Sequence, residues 1–242
     1  MNKISDDTDV IHTTFDTNVD TMIDYVYNSL ILKFGKKGIY NENIYSDLHK
    51  EFIKTLVSRY LNEHIIIISN NTTLIHFSGL EQSDCINYKY DEIETLALHL
   101  SLQLKLLEKR GYTMLYLQSA DIIKVTINSD DESNIKRDFC IYLLFDLTQM
   151  VPLDKNDYNK LVLNYPAVYP FPKSVCAPEL YNINMLPFKT HRSAIYYSLG
   201  LLCLHFLKGQ NLSLNNLRDT PLFYFLERCL KEEPLERMCL FI

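Results

Sequence analysis

The feature that most constrains the fold is the stretch DEIETLALHLSLQLKLLEKRG, residues 91–111. Its first turn is acidic, its last turn is basic, and apolar residues recur between them at helical spacing. Acidic groups stabilise the N-terminal end of a helix, basic groups stabilise the C-terminal end, and glycine commonly follows the last turn. The stretch therefore predicts a helix of about 19 residues that ends at Gly111.

Two apolar runs after this helix predict a β-hairpin. DIIKVTI and FCIYLLFDL are rich in β-branched and aromatic residues, and the polar stretch NSDDESNIKRD separates them. Residues 147–174 contain prolines and have no regular period, which predicts a long irregular segment. Beyond it, SAIYYSLGLLCLHFLKG predicts a buried helix, and PLFYFLERCLKEEPLERM predicts an amphipathic helix followed by a proline-marked turn.

The first 90 residues give weaker signals. Residues 1–18 are polar and predict a disordered lead-in. Residues 19–34 mix helix and strand signals, and both alternatives stay open. Apolar residues at helical spacing predict a helix over 44–61, and residues 64–80 predict two strands joined by an Asn-Asn-Thr turn.

The composition limits the partners of this protein and indicates its type and origin. A formal net charge of −6 argues against nucleic acid as a partner, because neutralising phosphates requires a basic face. A hydrophobic content of 47% is that of an ordinary globular domain. The many Asn, Ile, Lys and Tyr residues indicate an AT-rich coding genome, such as that of a large DNA virus or a protist.

The cysteines, histidines and apolar runs indicate the compartment. The six cysteines are scattered and form no C-x-x-C, which favours buried free thiols in a reducing environment. The seven histidines are equally dispersed, so no structural zinc is expected. The start of the chain is too polar for a signal peptide, and the longest apolar run, residues 195–207, is shorter than the ~20 residues of a membrane helix. We expect a soluble, intracellular, cytoplasmic protein with no membrane partner.

Three short motifs in the second half have an informative order and spacing. Ala177-Pro178-Glu179 precedes IYYSLG at 195–200, and CLKEEPLER follows at 229–237. With the long helix and the hairpin before them, they resemble the C-terminal lobe of a protein kinase, with its A-P-E, D-x-W-S-x-G and C-L-x-x-x-P-x-x-R motifs. Tyrosine replaces the tryptophan of the second motif, and Ile195 replaces its aspartate.

The resemblance implies an α+β, protein kinase-like fold. A mainly helical C-lobe-like region would cover residues 91–242, and a reduced, mixed N-lobe-like region would cover 19–90. It also implies an ion pair between Glu179 and Arg237, tying the irregular segment to the last helix. Without such a partner, Glu179 would be a solvated surface acid.

The catalytic motif of the family, H-R-D-L-x-x-x-N, aligns with residues 114–121 but is altered. Tyr116 takes the place of the catalytic aspartate, Gln118 stands where many Ser/Thr kinases have lysine, and Asp121 replaces the metal-binding asparagine. A tyrosine is a neutral donor at pH 7 and is a poor acceptor for the proton of the attacking hydroxyl. We therefore expect no catalytic residue here, and a Tyr116 ring packed under the irregular segment.

Residues for nucleotide and metal are only partly retained. Asp146-Leu147-Thr148 aligns with D-F-G, so Asp146 and Asp121 could bind Mg²⁺-ATP; the alternative is that Asp146 caps a turn. LILK at 30–33 resembles V-A-I-K, which makes Lys33 a candidate phosphate ligand with Glu51 as its helical partner. The alternative for Lys33 is an exposed lysine at a strand end. No G-x-G-x-x-G is present.

These observations predict a pseudokinase, an inactive kinase-like scaffold or regulator that needs no cofactor and binds a protein partner. Its binding surface would be segment 147–176 or the surface of the C-lobe-like region, since aromatic residues in that segment supply binding energy. The alternative for that segment is a loop packed on the lobe. Two other functions stay open: a divergent serine/threonine kinase that uses Asp121, Asp146 and Lys33 for Mg²⁺-ATP, and an unrelated helical interaction protein.

Overall fold

Helices and strands are mixed along the chain in an α+β arrangement. The computed structural model describes residues 19–34, 42–63, 74–82, 88–130, 136–164, 171–181 and 183–241. The helices within these ranges are α1 (Val19–Phe34), α2 (Glu42–Glu63), α3 (Tyr90–Lys109), α4 (Ala194–Gly209) and α5 (Pro221–Cys229). The strands within them are β1 (Leu74–Gln82), β2 (Tyr112–Met114), β3 (Ile122–Asp130), β4 (Lys136–Leu144), β5 (Met150–Asp154), β6 (Asp157–Leu163) and β7 (Phe188–His191).

Helix α3 is the predicted long helix, and its ends form as the sequence indicates. The Glu92 carboxylate accepts a hydrogen bond of 2.9 Å from the backbone N–H of Lys89, which satisfies a donor at the N-terminus. Apolar residues on one face, including Leu96 and Leu100, are fully buried. Gly111 follows the C-cap with φ +80°, a left-handed conformation that favours glycine. The helix is confirmed with its glycine end.

The predicted hairpin is also confirmed, with longer strands than the apolar runs alone. Strands β3 and β4 pair antiparallel from Ile122 opposite Leu144 to Asp130 opposite Lys136. Strand β1 pairs with the other edge of β3, giving a three-stranded sheet in the order β1-β3-β4. The first strand of the hairpin predicted over 64–80 lies outside the described residues, as does the lead-in 1–18.

Segment 147–174 is not irregular throughout, and that expectation was wrong for its first half. Strands β5 and β6 form a hairpin there and belong to a four-stranded sheet in the order β2-β5-β6-β7. Two aspartates shape the turn: Asp154 accepts from the backbone of Asn156 at 2.9 Å, and Asp157 accepts from that of Asn159 at 3.1 Å. Pro152 is exposed between buried Val151 and Leu153, so the strand still buries an alternating apolar face.

Residues 19–34 form a helix, which resolves the ambiguity in the sequence. The prediction that Lys33 ends a strand was wrong, because this residue lies in the last turn of α1. Buried residues of α1 and α2, such as Leu30 and Phe52, join those of α3, α4, α5 and the β3–β4 hairpin in one apolar core. A second, smaller core lies between β5, β6 and residues 176–183. No helix within the described ranges is both long and apolar enough to span a bilayer.

Candidate functional site

Glu179 and Arg237 form a bidentate ion pair. Nη1 of Arg237 donates to Oε1 of Glu179 at 2.6 Å, and Nη2 donates to Oε2 at 2.9 Å. The guanidinium side chain is fully buried and the carboxylate side chain is 17% exposed. Two parallel charge-assisted bonds fix the direction of both side chains. The pair joins residues that are 58 positions apart, as the resemblance implied.

Arg237 is held by more than its ion pair. Its Nε donates to the carbonyl of Lys231 at 2.7 Å, and Nη2 donates to the carbonyl of Glu232 at 2.7 Å. The guanidinium also lies 4.9 Å from the centre of the Tyr197 ring, in cation–π geometry. One arginine thus connects the segment after α5, a short helical turn at Pro178–Leu180 and the first turn of α4.

Ser198 connects two further segments to α4. Its Oγ accepts a hydrogen bond of 2.8 Å from the N–H of Leu117 and donates one of 2.5 Å to the carbonyl of Val175. The side chain is fully buried, and both partners are backbone groups that would otherwise lack this bond. The segment aligned with the catalytic motif and the segment before Ala177 are therefore held at one point of one helix.

Gly200, two residues after Ser198, allows α5 to approach α4 closely. A Cβ at this position would lie 2.8 Å from Cδ2 of Leu230 and 3.3 Å from Cβ of Cys229. The close approach brings the end of α5, and with it the chain that leads to Arg237, against α4. The serine and glycine of the IYYSLG motif thus have separate structural roles.

Tyr116 packs against the following segment. Its half-buried ring meets the ring of Phe171 edge-on, with ring centres 6.3 Å apart. Edge-to-face pairs of this kind are favourable contacts. This is the packed arrangement that the sequence favoured for Tyr116.

Asp121 and Asp146 are adjacent through the backbone. The carbonyl of Asp121 accepts hydrogen bonds from the N–H of Phe145 at 2.8 Å and of Asp146 at 3.1 Å. Each carboxylate also caps a local turn: Asp121 accepts from the N–H of Gln118 at 2.7 Å, and Asp146 accepts from that of Thr148 at 2.9 Å. Within the described part of the chain, no three His, Cys, Asp or Glu side chains group as a metal site.

Helix α2 contacts the residue just before Asp146, a contact that the sequence did not reveal. Nε2 of His49 lies 2.9 Å from the carbonyl oxygen of Phe145, and Nδ1 lies 2.7 Å from that of Tyr45. The Tyr45 hydroxyl donates to the same Phe145 carbonyl at 3.2 Å. Burial lowers the pKa of His49 and outweighs the two carbonyl contacts, which favour the protonated ring. A histidine four residues after a tyrosine on an apolar helix face was the available signal.

Glu51 forms an ion pair with Arg110 at the C-terminal end of α3. Its Oε2 accepts from Nη2 of Arg110 at 2.7 Å and from Nε at 3.0 Å, which links α2 to the end of α3. The Lys33 side chain lies outside the described residues, so its pairing with Glu51 stays untested. The structure thus brings Asp121 and Asp146 together, and Glu179 and Arg237 together.

A cleft of about 390 Å³ lies beside these segments. Gln118 and Ser119 line one side, and Ser174 and Val175 of the following segment line another. Leu202 and His205 of α4 contribute an apolar and a polar side chain to the wall. Ligand sites typically combine apolar walls with a few polar groups at about this volume. The cleft could receive part of another molecule.

No protein-family model matches this sequence. A search of curated proteins likewise finds no significant match. The function must therefore be inferred from the geometry described above.

Proposed function

We propose that this protein is a catalytically inactive, kinase-like scaffold that acts by binding another protein. The observation that carries the proposal is the bidentate pair between Glu179 and Arg237. The resemblance required this pair, and no local feature of either stretch demands it. The order of a long helix, a hairpin, Ala-Pro-Glu, a buried helix and an amphipathic helix also supports the proposal.

The state of residue 116 supports inactivity. Kinase catalysis requires a carboxylate that accepts or orients the proton of the attacking hydroxyl. Tyr116 offers a phenol whose ordinary pKa is about 10, and its ring is engaged with Phe171. Positioning and electrostatics supply most of the rate enhancement in phosphoryl transfer, so replacing this group removes a central part of the machinery.

The cleft beside Gln118 supports a binding role. Two of its walls come from the segments that Ser198 binds on α4. The shape of the cleft therefore depends on the hydrogen bonds of Ser198 to Leu117 and Val175. The exposed Tyr158 on β6 offers a second aromatic contact within segment 147–176. Tyr165 and Tyr169 lie outside the described residues. A peptide segment with an apolar side chain would fit the mixed walls of the cleft.

The first test measures phosphotransfer and nucleotide binding. Wild-type protein with Mg²⁺-ATP and generic protein substrates should transfer no phosphate above a no-enzyme control. Its melting temperature should also not change with Mg²⁺-ATP. Measurable transfer that Asp146→Ala abolishes would overturn the inactive assignment.

The second test concerns the partner surface. Ser174→Arg places a long charged side chain at the exposed rim of the cleft, and Asn215→Arg adds the same charge at an exposed position outside segment 147–176 as a matched control. Proteins that co-purify with the wild type and the control from the native cell should be lost with Ser174→Arg. An identical set of proteins with all three would contradict binding through the cleft.

A divergent active kinase is the second candidate, because the backbone of Asp121 bonds to that of Asp146 and so keeps the two aspartates adjacent. A rise in melting temperature with Mg²⁺-ATP that Asp146→Ala removes would favour it. Asp157→Ala is the matched control, since Asp157 also caps a turn but lies in the β5–β6 hairpin.

A further inference from the structure

Two cysteines lie side by side around the loop that carries Arg237. Cys229 is the last residue of α5, and Cys239 lies in the extended chain after Arg237. Sγ of Cys229 donates a hydrogen bond of 3.5 Å to the carbonyl oxygen of Met238, the residue before Cys239, so the side chains of the two cysteines are neighbours. Both residues are buried, Cys229 completely and Cys239 with 5% exposed.

The surroundings make the two thiols unequal. The neighbouring Cys229 side chain, the Ser101 side chain and the positive charge of Lys105 lower the pKa of Cys239, although burial and the negative charge of Glu108 oppose this effect. The neighbouring Cys239 side chain, together with burial, raises the pKa of Cys229. Cys239 is therefore the better nucleophile of the pair, since the thiolate is the reactive form.

Cys239 is also the member of the pair that lies nearer the surface. Its neighbours Met238 and Leu240 are 56% and 41% exposed, so the segment needs only a local opening to admit a small oxidant. Cys203, on α4, and Cys176 are fully buried. Within the described residues, no cysteine cluster has the ligands for a metal ion.

We propose that Cys229 and Cys239 are a redox-sensitive dithiol that a peroxide-class oxidant converts into an intramolecular disulfide. The Cys239 thiolate attacks one peroxide oxygen, the O–O bond breaks, and hydroxide leaves as the sulfur becomes a sulfenic acid. The Cys229 thiol then attacks that sulfur, and its proton leaves with the displaced hydroxide as water. The two sulfurs lose two electrons in total and the peroxide gains them. The two thiol protons and the two hydroxides form two water molecules.

The disulfide would close a loop over residues 230–238. This loop contains Arg237, which binds Glu179, and the carbonyls of Lys231 and Glu232, which accept hydrogen bonds from Arg237. A cross-link at both ends of the loop restricts the unfolded chain and the local opening of the segment. Oxidation would therefore restrain the segment that holds the ion pair of Arg237 and Glu179, and reduction would allow this segment to open.

The test is oxidation of the folded, full-length protein with hydrogen peroxide, followed by alkylation of the remaining thiols and peptide mapping by mass spectrometry. The expected result is a Cys229–Cys239 disulfide that dithiothreitol reverses. Cys203→Ser should form the same disulfide, and Cys176→Ser is a second control at a buried thiol in another core. Alkylation of both Cys229 and Cys239 after peroxide treatment, or a disulfide that uses Cys203 or Cys85 instead, would overturn the proposal.

A second readout does not depend on any variant. Amide hydrogen exchange in residues 230–238 should slow in the oxidised wild-type protein, and its melting temperature should rise by several degrees relative to the reduced form. If the amide exchange rates and the melting temperature stay unchanged in a protein with the mapped disulfide, the bond does not restrain residues 230–238. That result would overturn this part of the proposal.

Discussion

Arg237→Ala tests the central contact of the molecule most directly. The variant removes the guanidinium that binds both oxygens of Glu179 and the carbonyls of Lys231 and Glu232. The Glu179 carboxylate then loses both charge-assisted hydrogen bonds, and only water can replace them. The variant also removes the cation above the Tyr197 ring. We expect the free energy of unfolding to fall substantially.

The size of the effect follows from the burial of the two partners. Removing one partner of a buried ion pair costs about 3–5 kcal/mol. Glu179 stays 17% exposed, so water can partly solvate it in the variant, and the lower end, about 3 kcal/mol, is expected. For a chain of this size, 1 kcal/mol shifts the melting temperature by roughly 2–4 °C, which gives a decrease of about 6–12 °C.

The assay is thermal unfolding followed by circular dichroism, for the wild type, Arg237→Ala, Glu179→Ala and the double variant. The double variant should be more stable than the sum of the two single losses predicts, because it leaves no unpaired charge. Lys160→Ala is the control, since Lys160 and Asp157 form an ion pair of 3.1 Å with both side chains exposed. Its melting temperature should stay nearly unchanged.

Two results would refute the reasoning. A melting temperature for Arg237→Ala within about 2 °C of the wild type would show that the pair contributes far less than a buried bridge should. Strict additivity of the two single variants would show that Glu179 and Arg237 act independently. Either result would remove the main support for the kinase-like assignment.

Three further substitutions test other contacts and turns of the fold. Ser198→Ala removes the acceptor for the N–H of Leu117 and the donor to Val175, and should lower stability by about 1–3 kcal/mol in chemical denaturation, with Ser198→Thr as a partial rescue. Gly111→Ala should cost about 1 kcal/mol because of its φ of +80°, although its Cβ would meet no atom within 4 Å. His49 has a pKa below 6.5, so the unfolded state takes up the proton first; its contribution to stability is present above pH 6.5 and lost as the pH falls below it. Melting curves at pH 7.5 and 5.5 should therefore differ less for His49→Gln than for the wild type, and an equal difference would contradict this reasoning.

The sequence predicted elements whose local signals agree. Helix α3 has matched end charges, a continuous apolar stripe and a terminal glycine, so every local preference favours the same structure. The β3–β4 hairpin has β-branched runs on both sides of a polar stretch. The pair of Glu179 and Arg237 could be predicted only through the resemblance, because nothing local joins residues so far apart in the chain.

The errors have physical reasons. The prolines of segment 147–174 suggested irregular structure, but Pro152 removes only one backbone donor and points to solvent while its neighbours stay buried. The aspartates of the β5–β6 turn were the missed signal, since Asp154 and Asp157 both accept from backbone N–H groups two residues ahead. Helix α1 was ambiguous because its buried positions include β-branched Ile23 and Val26, which are also common in strands.

Contacts to the backbone were beyond sequence reasoning. His49 reaches the carbonyl of Phe145, and every residue has a carbonyl, so no residue type marks the partner. The contact between Cys229 and Cys239 follows from the chain returning to the end of α5, and their spacing matches no known thiol motif. Both contacts depend on tertiary packing.

The hydrogen bonds and the ion pair that organise this site do not depend on residue 116. Ser198 holds Leu117 and Val175 through backbone groups, and Arg237 holds Glu179 through side chains. None of these contacts involves residue 116, so they do not require an aspartate at that position. A tyrosine at 116 adds an aromatic contact with Phe171 and so contributes to the packing of the two segments. In the proposed function, Tyr116 packs against Phe171 while the contacts of Ser198 and Arg237 are kept, and such a site is suited to presenting a surface to a partner.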